Sequence, residues 1–221
     1  MNQAWQWLTR PANWHGSEGI PIRVLEHLAY TGIAFGLAAA IALPLGVIIG
    51  HTGRGAFAVI SLGNFGRALP TLGLLVFAYV LVTSSVDWVI PLVILAIPPI
   101  LVNAYEGVLG VDPDLKDAAR GMGMTGRQVL TRVEIPVALP LIMLGLRIAA
   151  IQVVATATIA AYIGLGGLGR YIIDGLANND YAEVAGGAIV VVVLALLVQA
   201  ALLILQRFTV SPGLRGQARS S

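Results

Sequence analysis

Cysteine is absent from the 221 residues, so neither a disulfide framework nor a thiolate metal site is available. Lysine occurs once, as Lys116, and no G-x-x-x-x-G-K-[ST] stretch surrounds it. That excludes ATP binding through a P-loop in this chain. The three histidines, His15, His27 and His51, lie far apart with no i,i+4 pair, which argues against a metal site. Charge is scarce as well. Asp, Glu, Lys and Arg make up 11% of the residues, against about a quarter in soluble domains. So few charges cannot cover a water-facing surface, and the chain reads as an integral membrane protein. Strand-like alternation, internal repeats and low-complexity tracts are missing too.

What the sequence does have is long apolar runs. Hydrophobic residues account for 57% of it, and a membrane helix needs about 20 of them nearly unbroken. Five stretches qualify, at roughly 28–50, 56–83, 88–109, 137–163 and 184–206. The second is interrupted by Gly66, Arg67 and Pro70, and the third contains Pro91, Pro98 and Pro99. Neighbouring helices can re-satisfy the backbone groups that such prolines free. The expected organisation is an interfacial or extracytoplasmic segment over 1–23, a transmembrane domain over 24–207 and a cytoplasmic tail over 208–221. The first segment lacks the apolar core of a cleavable signal. Its Trp5, Trp7 and Trp14 suit a membrane–water boundary, and Trp88 falls on the same side. Five spans put Arg54, Lys116, Arg120, Arg127, Arg132, Arg207, Arg215 and Arg219 on one side, against Arg10, Arg23 and Arg170 on the other. The positive-inside rule then places the 110–136 loop in the cytoplasm and the N-terminus outside.

That loop contains "DAARGMGMTGRQVLTRVEIP", residues 117–136, a polar island in an oily chain. Asp112 is a good N-cap, Pro113 suits the first helical position, and Asp114 and Asp117 sit where the helix dipole favours anions. Leu115, Ala118, Ala119 and Met122 recur at i, i+3, i+4 and i+7 and make one apolar stripe. Gly123 can end the helix in the left-handed conformation. Thr125 and Gln128 then spell a capping box for a second short helix, which Pro136 limits. An exposed apolar stripe docks into a groove on another protein, or it lies on the bilayer or the chain's own bundle. The physics alone divides these readings evenly. A DNA-binding helix-turn-helix is disfavoured, because the unit is tethered to membrane spans at both ends and lacks a cationic reading face.

The spacing Asp117-Ala118-Ala119, three residues, Gly123, nine residues, Val133-Glu134-Ile135-Pro136 resembles the loop signature of binding-protein-dependent ABC importer permeases. That signature is Glu-Ala-Ala, three residues, Gly, nine residues, Ile-x-Leu-Pro. Asp117 here replaces the Glu, and Val133 and Ile135 replace the Ile and Leu. "FGRALPTLGLLV" (65–76), "AIPPILVNAYEGVLGVDPDLKDAARGMG" (96–123) and "TATIAAYIGLGGLGRYIIDGL" (156–176) are similar to permeases for glycine betaine, choline, carnitine and related osmoprotectants. Methionine and other type I importers share much of the pattern.

The resemblance implies an all-α membrane domain of about five spans, with a cytoplasmic coupling helix between the third and fourth. Leu115, Asp117, Ala118, Ala119, Met122 and Gly123 would meet a separate ATP-binding subunit. ATP and Mg would be bound there, and no cofactor in this chain. A separate substrate-binding protein and a second permease copy or sister permease complete the assembly. An amino-acid importer is the alternative within the class. A channel or ion-driven transporter, or a scaffold without a path, would need no ATPase.

Other polar positions have two readings each. Arg67 and Glu106 lie within apolar runs and are functional by default, or their charges snorkel to the headgroups. Arg67 precedes Pro70, where a helix can bend and form a gate. Asn64, Asn103, Gln152, Thr156 and Thr158 line a path or bond between helices. Gly164, Gly166 and Gly169 spell G-x-G-x-x-G, but no strand precedes them, so they are expected to form a tight outer loop rather than a dinucleotide site.

With no native cysteine, topology can be tested by single introduced cysteines. Cysteine at positions 54 and 126 is expected to be shielded from an impermeant thiol reagent in intact cells, and cysteine at 85 and 179 to react. Labelling at 126 from outside would invert the orientation.

Overall fold

The computed structural model describes residues 2–68, 70–81 and 89–210, and the side chains of Asn2, Phe65 and Arg67 are not among those described. The described chain is helical: α1 (Asn2–Thr9), α2 (Ile20–Thr52), α3 (Ala56–Ala68), α4 (Thr71–Leu81), α5 (Val89–Leu109), α6 (Pro113–Gly121), α7 (Gly126–Val129), α8 (Ile135–Ala160), α9 (Gly169–Ala177) and α10 (Tyr181–Thr209). Short 3-10 segments cover Pro11–Trp14 and Ala161–Ile163, and a π segment covers Leu130–Glu134. Among the described residues there is no strand.

Among the described residues, four helical runs are long and apolar enough to cross a membrane: Ile20–Thr52, Val89–Leu109, Gly126–Ile163 and Tyr181–Thr209. The stretch expected as the second span is instead two helices, α3 of 13 residues and α4 of 11. At about 1.5 Å per residue each falls short of a hydrocarbon core of about 30 Å. The break falls at Pro70, as its missing N–H and fixed φ require. The last residues of that expected span, 82–83, lie outside the described residues, as do Trp88, Arg215 and Arg219.

A second difference concerns Pro136. It does not end the short helix after Thr125. α7 passes through the π segment into α8 without interruption, so Gly126–Ile163 is one run of 38 residues. The Ile135 N–H bonds back to Leu130 O, five residues earlier. A widened turn of this kind accommodates a residue that has no N–H to give.

The chain forms two compact units. The described residues of the first are 2–36, 70–81, 89–95 and 150–199. Trp7, Ile20, Leu168, Tyr171 and Leu194 form its apolar centre. Trp7 and Tyr171 meet edge-to-face with centroids 5.0 Å apart, an arrangement that suits their ring quadrupoles. The Tyr171 hydroxyl donates to Glu18 O at 2.5 Å. Burial pushes this phenol up to about 12, so it keeps its proton and its donor role at physiological pH. Trp7 is therefore a core residue and not the boundary anchor expected for it. Its side chain is packed away, whereas Trp5 stays exposed and the exposed Trp14 donates through Nε1 to Leu8 O.

The described residues of the second unit are 37–68, 96–149 and 200–210. Ala104, Val108, Ala138 and Ile142 form its centre, with Leu43, Val47, Leu130 and Leu146 against them. Glycines let its backbones approach closely. A Cβ on Gly46 would stand 2.7 Å from Leu101 O, and one on Gly50 would stand 2.8 Å from Tyr105 O. Gly46 and Gly50 thus form a small-xxx-small face of α2 against α5. Gly63 and Gly66 of α3 come equally close to Val102 and Pro98.

Gly46→Val is expected to cost about 1–3 kcal/mol by overpacking, seen as a lower thermal midpoint in detergent. Leu45→Val, on the exposed side of the same helix, should stay within about 0.5 kcal/mol. Equal midpoints for the two variants would refute the close packing of α2 on α5.

Candidate functional site

The loop between α5 and α8 lies wholly in the second unit and is built from local rules. Asp112 caps α6 by accepting from the Asp114 N–H at 2.9 Å, with Pro113 in the first turn. Gly123 closes it at φ +83°, a conformation that glycine adopts without strain. The Gly123 N–H reaches Arg120 O at 2.9 Å and the Met124 N–H reaches Ala119 O at 3.2 Å. These are the paired bonds of a Schellman cap. Thr125 and Gln128 form the reciprocal capping box, the Gln128 Oε1 accepting from the Thr125 N–H at 2.8 Å.

The apolar stripe divides. Ala119 is 2% exposed and faces inward, while Leu115 is 49% exposed and Met122 is 72% exposed. Ala118 is exposed beside them. Asp117 is exposed and pairs with Arg120 at 3.2 Å, one turn along. So α6 turns Ala119 toward the protein and leaves an apolar ridge of Leu115, Ala118 and Met122 exposed among the described residues.

Beneath the loop is an ionic cluster that sequence reading missed. Glu134 is 1% exposed. His51 Nδ1 lies 2.5 Å from its Oε2, and Lys116 Nζ lies 3.7 Å from its Oε1. Lys116 Nζ also donates to Val108 O at 3.2 Å, at the end of α5. The sequence signal was faint: Glu134 is an acid at the x of the loop signature, directly before an apolar residue and a proline.

The polar positions expected along a path each have a local setting. Gln152 Nε2 donates to Leu95 O at 3.1 Å. Leu95 is four residues before Pro99, so its carbonyl lacks a helical N–H partner and Gln152 supplies one. Asn103 Nδ2 donates to Pro99 O within its own helix at 2.8 Å. Thr156 is buried, and Thr158 bonds Val154 O at 3.1 Å. Glu106 is exposed on α5, as is Asn64 on α3. Pro70 stands at the break between α3 and α4, and the Arg67 side chain lies outside the described residues. Arg147, overlooked within the fourth apolar run, is partly buried and donates from Nη1 to Gln206 Oε1 at 2.9 Å.

In the first unit, α2 clasps the glycine loop. The Glu26 carboxylate accepts from the Gly167 N–H at 2.8 Å and from Arg23 at 3.0 Å. Buried His27 meets Val154 O through Nε2 at 3.1 Å. Gly164 and Gly167 take positive φ, and a Cβ on Gly166 would stand 2.7 Å from Glu26 Oε2. The tight-loop reading of this stretch therefore holds.

The structure is thus a helical domain of several apolar spans, with a capped loop bearing an exposed apolar ridge between two of them. Residues 42–212 match the family described as "Binding-protein-dependent transport system inner membrane component". The chain belongs to that family of multi-pass membrane permeases. It is 38% identical over 197 residues to the glycine betaine/carnitine/choline transport system permease protein of Bacillus subtilis (strain 168), covering 89% of this chain and 91% of that one. A carnitine transport permease protein of Listeria monocytogenes is 40% identical over 182 residues, covering 82% and 84%. An osmoprotectant import permease protein of Salmonella typhimurium is 33% identical, covering 86% and 91%. In structure the chain resembles the inward-facing methionine ABC transporter MetNI, with TM-score 0.75 and 25% identity over 96% of this chain and all of that one.

Gly123→Ala is expected to cost about 1–2 kcal/mol, because an L side chain is forced into the left-handed region. Gly121→Ala, with open space around the new methyl, should not destabilise. Amide hydrogen exchange at 119–124 reads both, and unchanged protection in Gly123→Ala would refute the cap.

Proposed function

We propose that the chain is the permease subunit of an ATP-driven importer for a quaternary ammonium osmoprotectant such as glycine betaine, choline or carnitine. The observation that carries the subunit role is the ridge of Leu115, Ala118 and Met122, exposed on a helix capped at both ends. An apolar helix face of this kind seats in a groove of a partner, and here the partner is a separate ATP-binding subunit holding ATP and Mg. Ala119 and Gly123 hold and shape the helix, and Asp117 borders the contact. Identity of 33–40% to osmoprotectant permeases over most of the chain supports the substrate class.

A separate binding protein delivers the solute, and a second permease, identical or sister, completes the path. α10 is scarcely buried within the chain and gives surface for that partner and for lipid. Transport proceeds by alternating access: closure of the nucleotide-bound ATPase pair moves α6, and the spans reorient. The second reading, a methionine importer, is favoured by the likeness to MetNI. It has less behind it, since that identity is 25%.

The double variant Leu115→Ala, Met122→Ala removes exposed side chains only. Membrane insertion and thermal stability should stay close to wild type, while affinity for the ATPase falls about ten-fold or more, as for a central interface contact. Undiminished capture of the ATPase would end the docking assignment. Radiolabelled uptake in a host stripped of its own osmoprotectant importers, with cognate ATPase and binding protein supplied, tests the substrate. Uptake of methionine with none of betaine, choline or carnitine would reverse that part alone.

A further inference from the structure

From the ionic cluster under the loop we infer that Glu134 is the joint that ties the docking helix α6 to the ends of α2 and α5, acting as a positioning residue for coupling. The inference rests on the docking role proposed for α6. Three elements meet at one carboxylate, and a fourth is joined through the lysine: the π segment carries Glu134, α2 brings His51, α6 brings Lys116, and Lys116 in turn holds the Val108 carbonyl of α5.

The surroundings are apolar. Val108 and Val129 are fully buried, and Leu130, Ala138 and Ile142 pack in the same centre. Apolar contacts can slide past one another at little cost. A buried carboxylate cannot shed its partners so freely, because an uncompensated charge left in the interior is strongly unfavourable. Lys116 and His51 are therefore held to Glu134 when α6 is displaced, and the helix ends are carried along. The π segment adds a second indication. An inserted residue shifts the phase of the helix that follows, and such segments recur at functional positions. Here the segment ends on Glu134 itself.

The test uses the full transporter in proteoliposomes, with the ATPase and binding protein present. Spin labels go on cysteines introduced at exposed Thr52 and Asp114, at the ends of α2 and α6. In the wild-type background the distance between them should be the same in the nucleotide-free and vanadate-trapped states. In Glu134→Gln, similar in size but uncharged, it should differ between the two states. Uptake of radiolabelled glycine betaine per ATP hydrolysed should fall about five-fold or more, the scale of a typical coupling energy. Lys116→Met should behave likewise, and Lys116→Arg should remain near the wild-type ratio. Should Glu134→Gln not assemble, Lys116→Met is read in its place, since it leaves the His51–Glu134 pair intact. A wild-type distance that changes on trapping, or variants that keep the wild-type distance and ratio, would overturn the joint. A wild-type permease that captures no ATPase would overturn the docking role, and the joint with it.

Discussion

Water is missing from the bilayer core, and that constraint governs the helices of this chain. Each backbone carbonyl there must find its donor inside the protein. Pro99 makes the demand acute in α5, because it leaves Leu95 O without its helical N–H. Gln152 answers from α8 at 3.1 Å. Glycine makes close approach possible nearby: a Cβ on Gly145 would stand 2.7 Å from Pro99 O. Without water between helices there is no hydrophobic gain on association, so contact area and polar satisfaction decide the packing. Gly46, Gly50, Gly63, Gly66, Gly107 and Gly145 all occupy positions in the second unit where a Cβ would crowd a neighbour.

Features set within a few residues were legible from sequence. Asp112 and Pro113 at one end of α6, Gly123 at the other, and the Thr125–Gln128 box all formed where their chemistry predicts, because caps depend on groups two to five residues away. Pro70 broke its span for the same local reason. What escaped were pairings across long separations. His51 and Glu134 are 83 residues apart, and nothing in either neighbourhood points to the other. Trp7 suggested a boundary anchor because tryptophan prefers membrane interfaces. Its edge-to-face partner Tyr171 lies far along the chain and turned it into core. Arg147 was overlooked because a single charge hardly lowers the apolar character of its run, although a charge at that position needs a partner such as Gln206.

Pro136 shows how a sound local rule can yield to its surroundings. Proline disfavours a helix that must use its N–H, and the sequence accordingly suggested a stop. The chain instead inserts a π turn just before it, with Ile135 bonding to Leu130. The extra residue preserves continuity from Gly126 to Ile163, and it ends on Glu134, whose buried carboxylate meets His51 and Lys116. Propensity scales describe single residues in regular helix and cannot anticipate a turn that changes its own hydrogen-bonding period.

This continuity bears on how a docking loop can act on a membrane domain. A flexible connector would absorb displacement at α6 through its own dihedral angles. The connector here has little freedom of that kind. Its glycine at 123 is committed to a Schellman cap, the next residues to a capping box, and the chain beyond to unbroken helix. α6 meets solvent through Leu115, Ala118 and Met122 and meets the protein through Ala119 and Lys116. On the proposed reading, a push on the outer face therefore passes through a stiff element to an ionic contact that resists slipping. Stiffness is supplied by local capping and directionality by the buried charge, and neither would serve without the other. Caps alone would give a rigid helix free to roll on an apolar bed, and the ion pair alone would anchor the base of a loop that bends above it.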